Sequence, residues 1–237
     1  MIIWLNGTFG AGKTTTGSRL AGRLANTRPF DPEEVGYLLT RTLDDHEFLD
    51  FQDLAPWREL VPVVTDSITR FTGQHLIAVQ TVLREDYWQE LTEGFLRTGL
   101  DIFHVLLHVD SDVLAERIRA DEVVPGALQW RLGHIGDYEK ARPWMESAAD
   151  LVIDTSHAPV TEVAERIAVE AEKRMASASS LRLFGITVSD DMNTNRIRFA
   201  LRLAAGRRVS VVIIAVFIKN QPQVPADGTG PRPRETR

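Results

Sequence analysis

A glycine-rich segment near the amino terminus constrains the fold of this chain more than any other feature. Residues 7–14 match the pattern G-x-x-x-x-G-K-[ST]. The apolar run Ile2-Ile3-Trp4-Leu5 precedes the segment, and a helical pattern with Leu20 and Leu24 four residues apart follows it. Backbone amides in such a strand–turn–helix context wrap around phosphate groups. The segment therefore predicts a phosphate-binding loop rather than a glycine-rich turn with an exposed lysine.

The residue types in this loop predict how it would hold a nucleoside triphosphate and a magnesium ion. Lys13 is placed to reach the β- and γ-phosphates, and the Thr14 hydroxyl to ligate Mg²⁺. A GTPase would carry N-K-x-D for its base, and that tetrapeptide does not occur in the sequence. From the loop itself we predict a nucleoside triphosphate and Mg²⁺ as ligands, with loop contacts from Gly7, Thr8, Phe9, Gly10, Ala11, Gly12, Lys13, Thr14 and Thr15.

Further apolar runs alternate with helical patterns along the chain. The runs are Leu76–Val79, Ile102–Val109 and Leu151–Ile153, and the last precedes a helix with an apolar stripe from Val160 to Ala171. Short continuous apolar strands separated by helices are typical of a parallel sheet covered on both faces. The sequence thus predicts a three-layer α/β fold of the P-loop NTPase type. His104 and His108, about 13 Å apart along a strand, are predicted to be packed or edge histidines rather than a metal pair.

Composition narrows the class of protein. The 237 residues include no cysteine, which excludes a disulfide framework and a thiolate metal site. The longest apolar run, Val209–Ile218, is half the length of a membrane helix, so we expect a cytoplasmic protein. Residues 1–180 carry 17 Lys+Arg against 29 Asp+Glu. An acidic body argues against nucleic acid as a partner, because phosphate neutralisation requires a basic face.

The carboxyl-terminal part differs from the body. Residues 181–237 carry 10 Lys+Arg against 4 Asp+Glu, and we predict a domain over 1–176 followed by a basic tail over 177–237. Arginines between 196 and 208 interleave with apolar residues, which would suit peripheral contact with an anionic membrane or an irregular appendage. The Pro- and Gly-rich segment Gln221–Arg237 predicts disorder.

Several segments resemble the tunicamycin-resistance ATP-binding proteins, a branch of the P-loop kinase-like superfamily. The opening Met1–Trp4 with Asn6–Thr14 is similar to theirs, and Asp31-Pro32-Glu33 with Gly36 resembles their D-P-E-x-x-G segment. Asp50-Phe51-Gln52 followed by Pro56-Trp57-Arg58 resembles D-F-Q…P-x-W-R, with a one-residue shift. The match extends to about residue 175.

This resemblance implies a kinase-like ATP-binding protein that confers resistance to a uridine-containing nucleoside antibiotic. The implied activity is transfer of the γ-phosphoryl of ATP to a hydroxyl of tunicamycin or a related nucleoside. ATP-dependent sequestration of the drug, and a housekeeping metabolite kinase on the same scaffold, stay as alternatives. The sequence leaves the acceptor and the oligomeric state open.

Three residues are predicted to act in catalysis. Lys13 holds phosphates, and Asp31 follows the second strand of such a fold, where a carboxylate can activate an acceptor hydroxyl. Asp31 also has the pattern of a helix cap before Pro32. Arg117 is the favoured stabiliser of developing charge, on a helix that leads into a turn at Asp121–Gly126; the alternative is an exposed helix face. Arg119 and Thr155 are predicted nucleotide contacts.

The acceptor would be bound by residues from two other segments. One polar-aromatic stretch contains Asp50, Gln52 and Arg58, and Thr81 comes shortly after the apolar run Leu76–Val79. Gln52 could pair with a uracil-type edge, and Arg58 with a carbonyl or phosphate. Ordinary loop residues are the alternative interpretation of this stretch.

Overall fold

The fold is known from a computed structural model that describes the backbone of residues 1–120, 128–183, 186–191, 196–205 and 208–216, and side chains in these ranges up to residue 177. The chain divides into two compact units, Met1–Met175 and Ala176–Arg237. The predicted turn at Asp121–Gly126 and the predicted disordered segment Gln221–Arg237 lie outside the described residues. Among the residues that are described, no helix has the length and apolar character needed to cross a membrane.

Five parallel strands form the sheet of the first unit. They are β1 (Ile2–Asn6), β2 (Thr27–Phe30), β3 (His75–Val79), β4 (Ile102–His108) and β5 (Leu151–Asp154). The helices are α1 (Lys13–Arg23), α2 (Glu33–Thr42), α3 (Ala55–Thr72), α4 (Glu85–Thr98), α5 (Ser111–Ala120), α6 (Leu128–Ala148) and α7 (Val160–Leu183), with a short 3-10 helix over Phe51–Asp53. In space the strands follow the order β2-β3-β1-β4-β5, so β1 lies at the centre.

Side chains of β1 alternate between two apolar layers. Ile3 and Leu5 pack with residues of α1, α5 and α7 on one face, whereas Ile2 and Trp4 pack with α2, α3 and α4 on the other. Because both faces are covered, every residue of β1 is buried. The three-layer parallel α/β fold predicted from the sequence is therefore confirmed.

The chain changes direction across the sheet at β1, which pairs with β3 on one side and β4 on the other. In open parallel sheets, a crevice forms at such a point beyond the carboxyl ends of the strands. The glycine-rich loop follows β1 at this edge, and the segments that follow β2 and β3 begin at the same edge. This topology positions the candidate site.

The sheet contains one strand that no apolar run predicted. Strand β2 has the sequence Thr-Arg-Pro-Phe and no fully buried residue. It lies at the sheet edge and pairs only with β3, where a proline is tolerated. The other four strands and the helix after β5 were predicted correctly, and the stripe from Val163 to Ala171 is buried.

The two histidines of β4 are packed residues, as predicted. Burial lowers the pKa of His104 to about 4, and its Nδ1 lies 3.1 Å from the Ala148 carbonyl oxygen. His108 Nδ1 lies 2.8 Å from the Tyr138 hydroxyl, which connects β4 to α6. No cluster of metal-ligating side chains occurs among the described residues.

The second unit contains a three-stranded antiparallel sheet. Its strands are β6 (Ile186–Asp191), β7 (Arg196–Ala205) and β8 (Arg208–Val216), in that spatial order. Three of the interleaved arginines of the tail, Arg196, Arg198 and Arg202, fall in β7, where they alternate with apolar residues, and Arg208 begins β8. An alternation with period two suits a strand, which explains why these residues form no helical stripe.

Two glycines provide a matched test of the packing between α3 and α4. A Cβ at Gly94 would lie 2.6 Å from Pro62 Cγ, whereas a Cβ at Gly22 would meet nothing within 4 Å. We expect Gly94→Ala to lower the free energy of unfolding by roughly 1–3 kcal/mol, since it overpacks the core. Gly22→Ala should raise it by up to about 1 kcal/mol. Urea denaturation measures both, and equal effects would contradict this packing.

Candidate functional site

The phosphate-binding loop has the backbone that its glycines predict. Gly7, Gly10 and Gly12 have φ angles of 139°, 82° and 83°, in a region that side chains disfavour. A Cβ at Gly7 would also lie 2.6 Å from the Leu107 carbonyl oxygen. Helix α1 then begins at Lys13 with no side-chain cap on its amides, so its first N–H groups can bind an anion.

Lys13 spans the loop from its carboxyl end. Its Nζ donates to the Thr8 carbonyl at 2.9 Å and lies 5.7 Å from the centre of the Phe9 ring. Burial lowers the pKa of Lys13 to about 7, the nearby Glu33 charge opposes this shift, and the Arg131 charge adds to it. A bound polyphosphate would favour the charged form.

Buried polar groups fasten the loop to the segment after β3. Asn6 Oδ1 accepts from the Gly7 N–H at 2.9 Å and from the Val82 N–H at 3.0 Å. The Thr81 hydroxyl donates to the Gly7 carbonyl at 2.8 Å. Thr81, which the sequence predicts to contact the substrate that accepts the phosphoryl group, is thus bonded to the loop in the structure. Its role in binding that substrate stays a prediction.

A central cavity of about 460 Å³ opens between the loop and β2. The cavity is lined by groups that can bind phosphate or a metal ion and by two carboxylates. We define it by Lys13, Thr14, Asp31, Glu33, Gln80 and Thr81. The Thr14 side chain is exposed on the first turn of α1. Hydroxyl, carboxylate and amide oxygens are the ligand atoms that Mg²⁺ prefers. The side chains of the central cavity therefore fit the predicted ion.

The two carboxylates of the central cavity differ in environment. Asp31 is exposed, and its Oδ1 accepts from the Glu33 N–H at 2.9 Å, so the predicted capping role at the start of α2 is confirmed. Glu33 is half-buried; burial raises its pKa, the Tyr37 hydroxyl at 3.0 Å opposes this, and the charges of Asp31 and Asp50 raise it further.

Sequence reasoning missed Glu33 as a site residue. The sequence predicts that the run Asp31-Pro32-Glu33-Glu34 starts a helix with Asp31 as its cap, and this prediction gives Glu33 no role of its own. The available signal was position, because α2 begins at Glu33 and its first turn therefore lies at the carboxyl edge of the sheet beside Asp31.

Three of the segments that carry the family resemblance, around Asp31, Asp50 and Trp57, meet in space. The buried Trp57 indole donates to the Pro32 carbonyl at 2.9 Å, which fixes the start of α2. A Cβ at Gly36 would lie 2.6 Å from Phe51 Cγ, so only a glycine lets the 3-10 helix pack this closely. These segments therefore shape one wall of the site.

An aromatic cavity of about 340 Å³ shares Glu33, Gln80 and Thr81 with the central cavity. One wall contains Phe9, Trp130 and His134, whose ring centres lie 4.8 Å (Phe9–Trp130) and 4.2 Å (Trp130–His134) apart. Polar residues from other segments also line this cavity, namely Asp50, Gln52, Asp53, Arg84 and Tyr87. Such a cavity suits a ligand with a flat apolar face and a polar edge.

The predicted acceptor residues hold different positions around this cavity. Asp50 caps the 3-10 helix by accepting from the Gln52 N–H at 2.8 Å, and burial raises its pKa. Gln52 Nε2 donates to the Thr81 carbonyl at 2.9 Å, which leaves its Oε1 as an acceptor. Arg58 does not line the cavity: it pairs with Glu90 at 2.7 Å, stacks on the Tyr87 ring and donates to the Gln52 carbonyl.

A third, outer cavity of about 230 Å³ lies on the other side of the loop. Gly10, Thr15, Arg117 and Thr155 line it. The Arg117 guanidinium donates to the carbonyls of Thr155 at 2.6 Å and Ser156 at 3.0 Å, so it holds the segment between β5 and α7. Arg119 is exposed on α5 and is not among the residues that line the three cavities.

Asp110, the acid that follows β4, lies away from these cavities. Its N–H donates to the Ser156 hydroxyl at 2.9 Å, its carbonyl accepts from the Leu114 N–H at 2.8 Å, and its carboxylate lies 3.5 Å from His108 Nε2. The carboxylates that line the central cavity are instead those of Asp31 and Glu33.

No protein-family model matches this chain, and no curated protein sequence matches it. Among solved structures, the tunicamycin resistance protein of Deinococcus radiodurans is similar: it shares 29% identity over 72% of this chain and 94% of that one, with a TM-score of 0.58. A gluconokinase from Sinorhizobium meliloti shares 19% identity over 76% and 95% of the two chains, with a TM-score of 0.52.

A sugar kinase from a Janibacter species shares 20% identity over 70% of this chain and 90% of that one, with a TM-score of 0.51. The fold is that of the P-loop kinases. The resemblance to the tunicamycin resistance proteins, inferred from short motifs, is confirmed by the similarity of the folds.

The pKa of Lys13 predicts a proton linked to nucleotide binding. At pH 8 a group with a pKa of about 7 is mostly neutral, and the phosphates of ATP favour its charged form. We therefore expect uptake of close to one proton per ATP at pH 8, and affinity that falls as the pH rises above 7. Calorimetry in buffers of different ionisation enthalpy measures this uptake. Uptake that persists in Lys13→Met would contradict the assignment.

The position of Arg117 predicts an effect on nucleotide affinity. Arg117→Ala removes both bonds to the segment between β5 and α7. Because this segment borders the outer cavity, we expect ATP to bind roughly ten-fold more weakly, a loss of about 1.4 kcal/mol. Arg119→Ala, on the same helix, is the control. Slower turnover at unchanged affinity would instead support the charge-stabilising role predicted from the sequence.

Proposed function

We propose that this protein is an ATP-dependent phosphotransferase that transfers the γ-phosphoryl group to a hydroxyl of a small molecule. One observation carries the proposal: Glu33, Gln80 and Thr81 line both the central cavity and the aromatic cavity. The phosphate end of a nucleotide in the loop and a molecule in the aromatic cavity would therefore meet at these residues. Proximity of this kind supplies much of the catalysis in phosphoryl transfer.

Each group has a role that follows from its surroundings. The loop amides and Lys13 would bind the β- and γ-phosphates, and Thr14 would hold Mg²⁺. The ion, when bound, neutralises charge on the phosphates. A carboxylate of the cavity would accept the proton of the acceptor hydroxyl. We keep Asp31 as the predicted base and add Glu33, because its raised pKa suits a proton acceptor and it faces both cavities.

We propose tunicamycin or a related nucleoside antibiotic as the acceptor. The similarity to the Deinococcus radiodurans protein supports this choice, and so does the aromatic cavity. Its wall of Phe9, Trp130 and His134 would stack on a base, and Gln52 Oε1 or Asp50 would accept from the N–H of a uracil-type edge. Resistance would follow from phosphorylation of the drug.

Mass spectrometry of the drug after incubation with ATP, Mg²⁺ and protein tests the proposal. A gain of one phosphate by the drug supports the phosphotransferase. Unchanged drug bound stoichiometrically would support sequestration. Turnover of a common sugar or nucleoside without any change in the drug would support a metabolite kinase.

The two carboxylates are separated by matched substitutions. We expect Asp31→Asn and Glu33→Gln each to keep ATP affinity, since an asparagine can still cap α2 and a glutamine can still accept from Tyr37. The variant that removes the base should lose about 10²–10⁴-fold in kcat. Single-turnover phosphorylation compares them, and normal turnover in both variants would remove these carboxylates from the mechanism.

A further inference from the structure

Gln80 occupies the point where the central and aromatic cavities join. It directly follows β3, and its N–H donates to the Leu5 carbonyl at 3.2 Å, which extends the pairing of β3 with β1. The residue is 4% exposed, and its side chain lines both cavities. Because β3 lies between β1 and β2, its carboxyl end lies between the phosphate loop, which follows β1, and Asp31 and Glu33, which follow β2.

The side-chain amide of Gln80 is only half satisfied by the described residues. Its Nε2 donates weakly to the Thr81 carbonyl at 3.3 Å. Its Oε1 is buried and has no hydrogen-bond partner among them. A buried acceptor without a donor is costly and uncommon in folded proteins, so this oxygen indicates a ligand that brings an O–H or N–H group.

The surroundings of Gln80 indicate which donor fits. The central cavity also contains the Thr14 hydroxyl and the carboxylates of Asp31 and Glu33. A magnesium ion held by a single protein hydroxyl keeps several of its waters. Each water has two hydrogens to donate, and acceptors around the ion fix its position. An amide oxygen and two carboxylates are acceptors of this kind.

We propose that Gln80 Oε1 accepts a hydrogen bond from a water ligand of the magnesium ion that Thr14 binds with the nucleotide. Gln80 is thus a positioning residue that acts through the ion's water shell. The inference rests on the nucleotide-binding part of the proposed function and does not depend on the identity of the acceptor.

The charge of the cavity explains an amide at this position. Asp31 and Glu33 already provide two carboxylates beside the loop, and Asp50 lies close enough to Glu33 for its charge to disfavour ionisation of Glu33. A third carboxylate would add repulsion against both the acids and the phosphates. A neutral oxygen orients the water without that repulsion.

Two substitutions test this role. Gln80→Met keeps the size of the side chain and removes the acceptor, and Gln80→Glu keeps the shape and adds a charge. Gln74→Met is the matched control, because Gln74 lies immediately before the same strand and its Oε1 accepts from Arg28 at 2.9 Å. Calorimetry with a non-hydrolysable ATP analogue, titrated at a series of Mg²⁺ concentrations, and thermal unfolding without ligand provide the readouts.

We expect Gln80→Met to bind the analogue normally without Mg²⁺ and to lose about ten-fold of the affinity that Mg²⁺ adds, the effect of one hydrogen bond to a charged centre. Its Tm without ligand should be unchanged or higher, since the substitution removes an unpaired buried oxygen. Gln80→Glu should bind more weakly than the wild type without Mg²⁺ and depend more steeply on the ion. Gln74→Met should leave the Mg²⁺ dependence unchanged.

Three outcomes would overturn the proposal. An unchanged Mg²⁺ dependence in Gln80→Met excludes a contact with the ion's waters. A lower Tm without any change in Mg²⁺ dependence assigns Gln80 a structural role. A change confined to the KM of the acceptor assigns the oxygen to the acceptor instead. Failure of the proposed function is distinguishable, because the wild type would then bind Mg²⁺ and nucleotide but phosphorylate nothing.

Discussion

The side-chain amide of Asn6 joins the end of β1 to the segment that follows β3, and the rest of the site is arranged around this connection. It accepts from the Gly7 and Val82 amides and donates to the Val82 carbonyl at 3.2 Å, in the interior of the protein. Such bonds are strong in a low-dielectric interior and costly to break. The loop therefore begins from a fixed point, and the adjacent Gln80 and Thr81 face it in a defined orientation.

Burial acts in opposite directions on the two charges that face each other in the central cavity. It lowers the pKa of Lys13 and raises that of Glu33, so each group ionises less readily than it would in water. Both groups are then ready to change protonation when ligands arrive. A bound polyphosphate would restore the charge of Lys13, and under the proposed function an acceptor hydroxyl beside Glu33 would meet a base stronger than an exposed carboxylate.

Much of the fold follows from local sequence patterns. The strands β1, β3, β4 and β5 are apolar because both faces of the sheet are covered, and the loop glycines are required by backbone conformations that they alone adopt readily. Strand β2 could not be found this way, because an edge strand with Pro29 and Arg28 has no apolar pattern. Its end was located only through the kinase-like fold that the loop implied.

The candidate site was predicted less completely than the fold. The phosphate loop and Asp31 follow from motifs, since their spacing along the chain sets their geometry. Glu33, Gln80 and His134 did not, because their roles depend on which segments meet in space. Arg58 shows the converse: a charged residue in a suggestive stretch is paired with Glu90 and Tyr87, and only tertiary contacts reveal this.

Phe9 belongs to the nucleotide loop by its backbone and to the aromatic cavity by its ring, where it contacts Trp130 of α6. Under the proposed function, a molecule stacked in that cavity would contact the same residue whose neighbours bind the phosphates. Thermodynamic linkage then makes the two affinities reciprocal: whatever one ligand does to the other's binding, the second does equally to the first. Any cooperativity between the proposed nucleotide and acceptor would in this way pass through a single aromatic side chain.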